Sequence, residues 1–318
     1  MPERIEELLK KIIDQDNPIP LERLHELSDL DSDQTAFFRQ KWGLVSLIKR
    51  RSLIKELGKL ADKNIDLTFE AINKFVLDDQ DPDVRQIAIN NLWESEDTTL
   101  IHTYIHVLQS DSSHEVRAAA ASALGSFVLI AETEDISPSI KHEMEEALLH
   151  SFHSEEDETI RRSCLESLGY SSRTEVESLI LEAYDSGEEE RKKSALLAMG
   201  RSANEIWHVH VLSELHSPYP HLRYVAAAAA GELEIREALE DLIELFEDVN
   251  RDVKHAAIWS ISQIGGSPAT EAIAALFDLS DDEEETQLIQ DALDNLAFVN
   301  GTRDMFLFDS DEIEDDLS

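Results

Sequence analysis

The sequence predicts an all-α protein, a solenoid in which antiparallel helix pairs stack on one another. A segment of similar pattern recurs at intervals of about 31 residues. The apolar residues in and before each copy are three or four positions apart, as on one face of a helix. Only 10 Gly and 8 Pro occur in 318 residues, which favours helices joined by short turns. One helix pair is too small to bury its own apolar face, so neighbouring pairs have to stack.

The recurring segment begins with an apolar–basic pair and continues as an alanine-rich run. The basic residues of six copies are 32, 44, 31, 31 and 31 positions apart. The long interval contains additional residues without ending the array, and a seventh copy, 282–294, is degenerate. The basic residues, termed the basic ladder below, are Arg85, Arg117, Arg161, Lys192, Arg223 and Lys254.

Each copy follows a second amphipathic stretch, so one repeat consists of helix A, a short acidic turn and helix B. Pro82 and Pro218 lie between A and B, where proline disfavours helical conformation in the residue before it. The glycines that end four copies are predicted to be left-handed residues at the C-termini of B helices, because such positions favour a residue without a Cβ atom. They are Gly125, Gly169, Gly200 and Gly231.

These patterns divide the chain into three parts. Residues 65–300 form the repeat array. Residues 1–64 are amphipathic but irregular, and we expect them to form an N-terminal helical cap. Residues 301–318 are an acidic tail that we expect to be disordered.

The net charge bears on the class of partner. The chain has 28 Lys and Arg against 68 Asp and Glu, so the net charge is 28 − 68 = −40. Nucleic acids and anionic membranes are bound mainly through cations, so this charge disfavours both. The N-terminus lacks the apolar core of a signal peptide, and no apolar run approaches the ~18 residues of a membrane span. With Cys164 as the single cysteine, no internal disulfide forms, and we expect a cytoplasmic monomer without membrane insertion.

The pattern D-x-x-V-R-x-x-A-x-x-x-L-G, repeated over 81–294, resembles the HEAT-like repeats of bacteria, including those named after phycobilisome lyases. The resemblance implies a HEAT-like α-α solenoid, a right-handed superhelix of about seven helix pairs. Proteins of this broad family include scaffolds, chromophore-attachment proteins, DNA-glycosylase-like solenoids and a di-iron hydroxylase, so function stays open. Departures from the pattern occur at Asn91, Arg191 and Glu285-Thr286, which suggests edge, cap or contact roles.

The basic ladder has a structural interpretation. An arginine near the start of helix B can lie along the stack and pair with an acidic turn of an adjacent repeat. The acidic residues considered for this pairing are Asp83, Glu115, Glu158 and Asp252.

A catalytic interpretation finds less support, and we expect no metal, cofactor or catalytic residue. The pair His102 and His106 could share a helix face, but two ligands do not make a metal site. The His-Glu dipeptides that begin at His25, His114 and His142 occupy non-equivalent positions and should not converge on two irons. Ser171 and Ser202 are predicted to be helix N-caps rather than nucleophiles. The alternative remains a HEAT-repeat oxidoreductase or lyase of the di-iron hydroxylase or chromophore lyase type.

The resemblance places helix B on the concave side of the solenoid. Two positions of each B helix should then point outward and form two rows along the stack. These positions are the second and the sixth residue after the position that directly precedes the basic residue of the ladder. These rows combine cations with exposed aromatics, which suits a protein or peptide partner that has an acidic part and an apolar anchor. Scattered solvated residues are the alternative interpretation, and the acidic tail is a further possible ligand. The predicted partner-binding residues are Arg162, Lys193, Leu197, Tyr224, His255 and Trp259.

Overall fold

A computed structural model describes residues 2–14, 16–133, 136–278 and 282–315, without the side chains of 2–4 and 302–315. The described residues form α-helices and short 3-10 helices and contain no strand, which confirms the predicted all-α fold class. The chain divides into two compact units, 1–167 and 168–318, a division that the sequence did not suggest.

The first unit contains one N-terminal helix followed by four helix pairs. A 3-10 helix, Leu21–Leu27, connects α1 to the first pair. Each second helix of a pair is a B helix in the sense defined above. The helices are α1 (Pro2–Ile13), α2 (Ser32–Trp42), α3 (Leu47–Lys63), α4 (Glu70–Val76), α5 (Pro82–Asn91), α6 (Leu100–Ser110), α7 (His114–Thr133), α8 (Pro138–Ser154) and α9 (Glu158–Leu168).

The second unit contains four further pairs. Its short A helices α12 and α14 are preceded by single 3-10 turns. The helices are α10 (Thr174–Asp185), α11 (Glu189–Arg201), α12 (His208–Glu214), α13 (Pro220–Glu232), α14 (Leu239–Glu244), α15 (Arg251–Ile264), α16 (Ser267–Phe277) and α17 (Glu283–Asp315).

The B helices pack side by side within each unit. In the first unit α3 packs on α5 and α5 on α7, and in the second unit α11, α13, α15 and α17 pack in succession. Small residues allow this close packing: Ala226 and Ala229 of α13 are buried, as is Ser260 of α15. The seven pairs from α4–α5 to α16–α17 agree with the number expected.

The repeat glycines do not have the role that the sequence suggested. Among the glycines, positive φ occurs at Gly187, Gly265 and Gly266, none of which is a repeat glycine. Instead, a Cβ atom added at Gly231 would lie 2.8 Å from the Cα atom of Ser260. The predicted left-handed conformation is therefore wrong, and these positions need glycine for the close approach of the next B helix.

Helix α7 is long and apolar enough to cross a bilayer by length and composition, contrary to the expectation that no segment would be. Half of the apolar window is buried inside the structure, as in the core helix of a folded domain. Cys164 of α9 is also fully buried, and burial raises the pKa of its thiol.

The backbone of α17 continues as helix to Asp315. The side chains of 302–315 and all of 316–318 lie outside the described residues. The expectation of a disordered tail falls on these residues and stays a prediction, as does the N-terminal cap.

Candidate functional site

The arginines of the basic ladder tie consecutive helix pairs together. Arg223 donates to both carboxylate oxygens of Asp248, at 2.7 and 3.0 Å, and to the carbonyl oxygen of Ser217 at 2.8 Å. Ser217 follows helix A of the same pair, whereas Asp248 lies in the A–B turn of the next pair. Arg85 repeats this geometry with the Asp111 carboxylate and the Asp79 carbonyl oxygen.

Other members of the ladder follow the scheme with variations. Arg117 donates to the Glu155 carboxylate at 2.9 and 3.1 Å, and Lys192 lies 2.9 Å from a Glu214 carboxylate oxygen. The Lys254 ammonium forms an ion pair with Glu285. Arg161 differs, because its guanidinium pairs with Glu158 of its own helix at 2.8 Å and lies over the Phe152 ring.

The acceptors are mostly not the residues that the sequence suggested. Asp83 pairs with Arg51 instead, and Asp252 lies within the first turn of α15 with an exposed side chain. The acceptors Asp111, Glu155 and Asp248 each precede helix B of the next pair by three residues. The lysine partners differ, because Glu214 lies in helix A and Glu285 in helix B. Sequence spacing identified the ladder but placed the acceptors of Arg85, Arg117 and Arg223 on the wrong side of the turn.

Burial and charge act against each other at these carboxylates. Hydrogen bonds from Arg223 hold the pKa of Asp248 below its ordinary value, although burial acts in the opposite direction. Burial raises the pKa of Asp111, but the hydrogen bonds from Arg85 and from the Ser113 backbone outweigh it, so the net direction is also downward. Both carboxylates therefore stay ionised and paired at neutral pH.

Arg50 belongs to the same ladder, and the sequence analysis missed it. Arg50 donates to the Val45 carbonyl oxygen at 3.0 Å and lies 3.0 Å from the Asp79 carboxylate. The Asp79 carboxylate also accepts the indole N–H of Trp42 at 2.5 Å. The signal was present, because Leu57-Gly58 follows Arg50 at the same distance at which Leu124-Gly125 follows Arg117. The repeat pattern thus extends into the segment expected to be a cap.

Five of the six predicted partner-binding residues lie on three adjacent B helices of the second unit. Tyr224 of α13 and Trp259 of α15 expose 43% and 41% of their surface, which is unusual for large aromatic side chains. Lys193 and Leu197 of α11 are half-buried. His255 of α15 is half-buried too, and its Nε2 atom accepts a hydrogen bond from Arg251 at 3.2 Å.

The sixth residue, Arg162, lies in the first unit on α9 and is half-buried. The predicted cationic centre of Arg162 and Lys193 therefore involves two units, and it stays a prediction. The sequence also missed Phe298, which lies on α17, the B helix that packs next to α15, and is 73% exposed. Phe298 was not predicted because the repeat that contains it is degenerate and does not fix the register of its outward positions.

A cleft of about 600 Å³ lies in the second unit between the turns that contain Ser171 and Ser202. Neither serine is a helix N-cap, so that prediction is wrong. The Ser202 hydroxyl donates to the Met199 carbonyl oxygen at the C-terminus of α11, and the Ser171 hydroxyl accepts the Arg173 backbone N–H. These two hydroxyl groups thus stabilise the turns, and the lining of the cleft contains no histidine.

The residues do not fit a di-iron centre. The described part of the chain contains no group of three or more His, Cys, Asp or Glu side chains that could hold a metal ion. His114 pairs with Asp157 at 2.9 Å, and His142 lies 4.0 Å from Glu146 of its own helix. His25 contacts the Glu22 carbonyl oxygen at 3.0 Å, so the three His-Glu dipeptides serve separate local contacts.

The family of HEAT repeats matches the chain over residues 69–138 and 209–297. No curated protein matches it. Similar solved structures include human deoxyhypusine hydroxylase with glycerol (18% identity, 93% of this chain and 97% of that chain, TM-score 0.32). They also include the CpcE–CpcF complex of phycocyanin lyase from Nostoc sp. (15%, 72% and 95%, 0.49). Importin beta is a third (14%, 94% and 52%, 0.37).

Proposed function

Because the chain belongs to the HEAT-repeat family, we propose that it is a scaffold that binds a protein or peptide partner on the B-helix face of its second unit. Solenoid proteins commonly bind partners on the extended surface that successive repeats create. The net charge of −40 makes a protein a more suitable partner than a nucleic acid or an anionic membrane. The proposal includes a monomeric chain in the cytoplasm.

The observation that carries the proposal is the exposure of Tyr224 and Trp259 on neighbouring helices. Aromatic side chains are the residues in which binding energy concentrates at protein interfaces. Neither side chain is needed to fill the core, since each is more than two-fifths exposed. Phe298 extends the set to a third helix, so α13, α15 and α17 each present one aromatic side chain.

The polar residues around these aromatics define the chemistry of the partner. Lys193 makes no ion pair among the described residues, and His255 retains a polar ring next to Trp259 on the same helix. A partner segment with an apolar anchor for the aromatics and a carboxylate for Lys193 suits this surface. Leu197, half-buried on α11, adds apolar area beside Lys193.

The test is a pull-down with the tagged full-length chain from cells that express it, read by mass spectrometry. We expect Tyr224→Ala and Trp259→Ala each to weaken capture of the partner about tenfold or more, as at an interface hot spot. Lys193→Glu should weaken it as well. Far-UV circular dichroism and the melting temperature should stay unchanged, because these side chains lie at the surface.

Tyr219→Ala is the matched control. Tyr219 is 45% exposed, but it precedes α13 instead of lying on a B-helix face. If Tyr219→Ala reduces capture of the partner as much as Trp259→Ala does, the assignment of the surface is contradicted. Unfolding of the Tyr224 or Trp259 variants would also contradict it.

A further inference from the structure

A row of four cations runs along one face of α3 in the first unit. Arg51, Lys55, Lys59 and Lys63 are spaced four residues apart, and residues at this spacing share a helix face. All four are exposed, with side-chain exposures of 47% for Arg51 and 51% for Lys59. We term these four residues the α3 cationic row.

The row is exceptional in this chain. Residues 32–63 contain 8 Lys and Arg against 3 Asp and Glu, a net charge of 8 − 3 = +5. The remaining residues therefore carry −40 − 5 = −45. The segment that forms α2 and α3 is thus strongly cationic within an acidic protein. If its cations served only to offset the acidic charge, they would be interspersed with acidic residues over the whole surface.

The row is only partly neutralised from within. Arg51 pairs with Asp81 at 2.6 Å and with Asp83 at 2.5 Å, and Lys59 pairs with Glu56 at 2.7 Å. Lys55 and Lys63 make no ion pair among the described residues. Two fully available ammonium groups therefore alternate with two that are partly satisfied.

The spacing of the row matches an extended peptide. Four residues of α-helix rise about 6 Å, so the row is about 18 Å long. Alternate residues of an extended chain, which point to the same side, are about 6.6 Å apart. A segment of about six residues with acidic side chains at every second position can therefore place a carboxylate near each of three consecutive cations of the row.

An apolar surface lies at the N-terminal end of the row. Ile48 is 80% exposed and lies one helical turn before Arg51 and Ser52, on the same side of α3. Leu47 and Leu44, beside it, are 51% and 60% exposed. Exposed apolar side chains beside a row of cations supply the anchor that a charged segment alone lacks.

We propose that the α3 cationic row is a docking site for an acidic protein segment, extended in conformation, with acidic residues at alternate positions and an apolar residue at the end nearest Ile48. This site lies in the first unit and does not depend on the aromatic surface of the second. A short acidic segment is favoured over a nucleic acid or a membrane, because those present extended anionic surfaces to the acidic remainder of the chain. At physiological salt, charges more than about 8 Å away are largely screened, so a short segment responds mainly to the row.

The experiment uses the full-length chain and two labelled peptides of identical composition, followed by fluorescence anisotropy at 0.15 M salt. The alternating peptide has two leucines and then glutamate and serine in alternation, with three of each. The block peptide has the three glutamates adjacent. We expect the alternating peptide to bind several-fold more tightly than the block peptide, and its binding to weaken as salt is raised.

Single substitutions Lys55→Ala and Lys63→Ala should each weaken binding about two- to five-fold, as for exposed ion pairs. The triple variant Lys55→Glu, Lys59→Glu, Lys63→Glu should abolish it. Lys11→Ala is the matched control for the single substitutions, because Lys11 is exposed on α1 of the same unit and its loss changes the net charge by the same amount. Ile48→Ser should weaken the alternating peptide through the loss of the leucine contact.

Three results would overturn the proposal. The first is an alternating peptide that does not bind or binds no better than the block peptide. The second is a loss of binding in Lys11→Ala that equals the loss in Lys55→Ala or Lys63→Ala. The third is capture by phosphatidylserine vesicles or a single-stranded oligonucleotide without peptide binding. Because Trp259→Ala leaves α3 intact, it should leave peptide binding unchanged and so separates this site from the aromatic surface.

Discussion

The two units use the same repeat, but the joint at Gly58 of the first unit differs from the joints at Gly169 and Gly231 of the second. In the second unit Gly169 and Gly231 face the backbones of Ala198 and Ser260, where an added Cβ atom would lie 2.7 and 2.8 Å from a Cα atom. In the first unit Gly58 faces the side chain of Asn91 instead. The Asn91 amide donates to the Ile54 carbonyl oxygen at 2.9 Å and to Asn73 at 3.1 Å. One joint is therefore backbone on backbone, and the other is filled by a hydrogen-bonded amide.

The exposed rows of the B helices differ as well. On α3 the row is cationic, from Arg51 to Lys63, whereas α13 and α15 present Tyr224 and Trp259. The buried side of each helix is constrained by stacking, but the exposed side is not. A conserved packing pattern is thus compatible with two surfaces of different chemistry, and each surface has to be assigned from its own residues.

The largest expected effect tests whether the arginine joints are equivalent in the two units. Arg85→Ala and Arg223→Ala each leave a nearly buried carboxylate unpaired, since Asp111 and Asp248 are 9% and 6% exposed. We expect each to lower the free energy of unfolding by about 3 kcal/mol, measured by urea denaturation. A much smaller loss in one unit would show that the shared ladder does not stabilise both.

A second prediction separates the two kinds of glycine joint. Gly231→Ala should cost about 2 kcal/mol of unfolding free energy, because the obstacle is the backbone at Ser260 and overpacking outweighs the helix propensity of alanine. Gly58→Ala should cost about 1 kcal/mol, because the Asn91 side chain can move aside only by giving up hydrogen bonds to Ile54 and Asn73. Gly43→Ala is the control, since nothing lies within 4 Å of its added Cβ atom. Equal costs at Gly231 and Gly58 would contradict the comparison.

A third prediction concerns acid stability in the first unit. Hydrogen bonds from Lys74 and Thr99 lower the pKa of Asp97 from 3.8 to about 2. A carboxylate whose pKa is lowered by folding stabilises the fold above its unfolded pKa, and this contribution is lost as pH falls toward 2. Asp97→Asn should therefore cost about 1 kcal/mol at pH 7, after allowance for solvent screening.

The cost of Asp97→Asn should shrink as pH falls below the unfolded pKa of 3.8, and most of it should be lost as pH passes through the folded pKa of about 2. The relevant measurement is the difference between wild type and variant across a pH series, because the general effect of discharging so many carboxylates cancels in that difference. A constant difference between pH 7 and pH 2 would show that Asp97 contributes through packing alone.

The smallest expected effect is at an exposed pair of the second unit. Arg251 contacts Asp282 and Glu284, and all three side chains are more than half exposed. Arg251→Ala should leave the denaturation midpoint unchanged within error, because exposed ion pairs contribute little. If Arg251→Ala lowers the denaturation midpoint as much as Arg223→Ala does, the exposure of an ion pair does not determine its contribution to stability.

The sequence was sufficient to predict the helix pairs and the ladder, because both follow from periodic residues such as Arg117 and Arg223. The sequence was misleading at the repeat glycines. A glycine such as Gly231 occurs at the same place in the pattern whether it ends the helix in a left-handed conformation or leaves room for a neighbouring helix. Asn91 was recognised as a departure from the pattern, but its partner Gly58 lies 33 residues earlier. Contacts at that distance are set by stacking, which the linear pattern does not contain.

The candidate surfaces were predictable only in part. Tyr224 and Trp259 were identified because the repeat register assigns them to the outward rows, and the structure shows them exposed. Whether they bind a partner stays a prediction. The α3 cationic row was missed because residues 1–64 were treated as an irregular cap. Aligning Arg50 with Arg85 places Lys55 at the position of Asn90, which is one of the outward positions of the repeat.

The arginine joints determine where this chain can be cut or recombined. Arg85 is held by Asp111, so a fragment that ends at the last residue of α5 would separate a guanidinium from its acceptor. The self-contained cassette is therefore a B helix together with the A helix and acidic turn that follow it, offset by half a period from the A–B hairpin. Duplications, deletions and fusion junctions that respect this offset should yield soluble protein more often than those placed at hairpin boundaries.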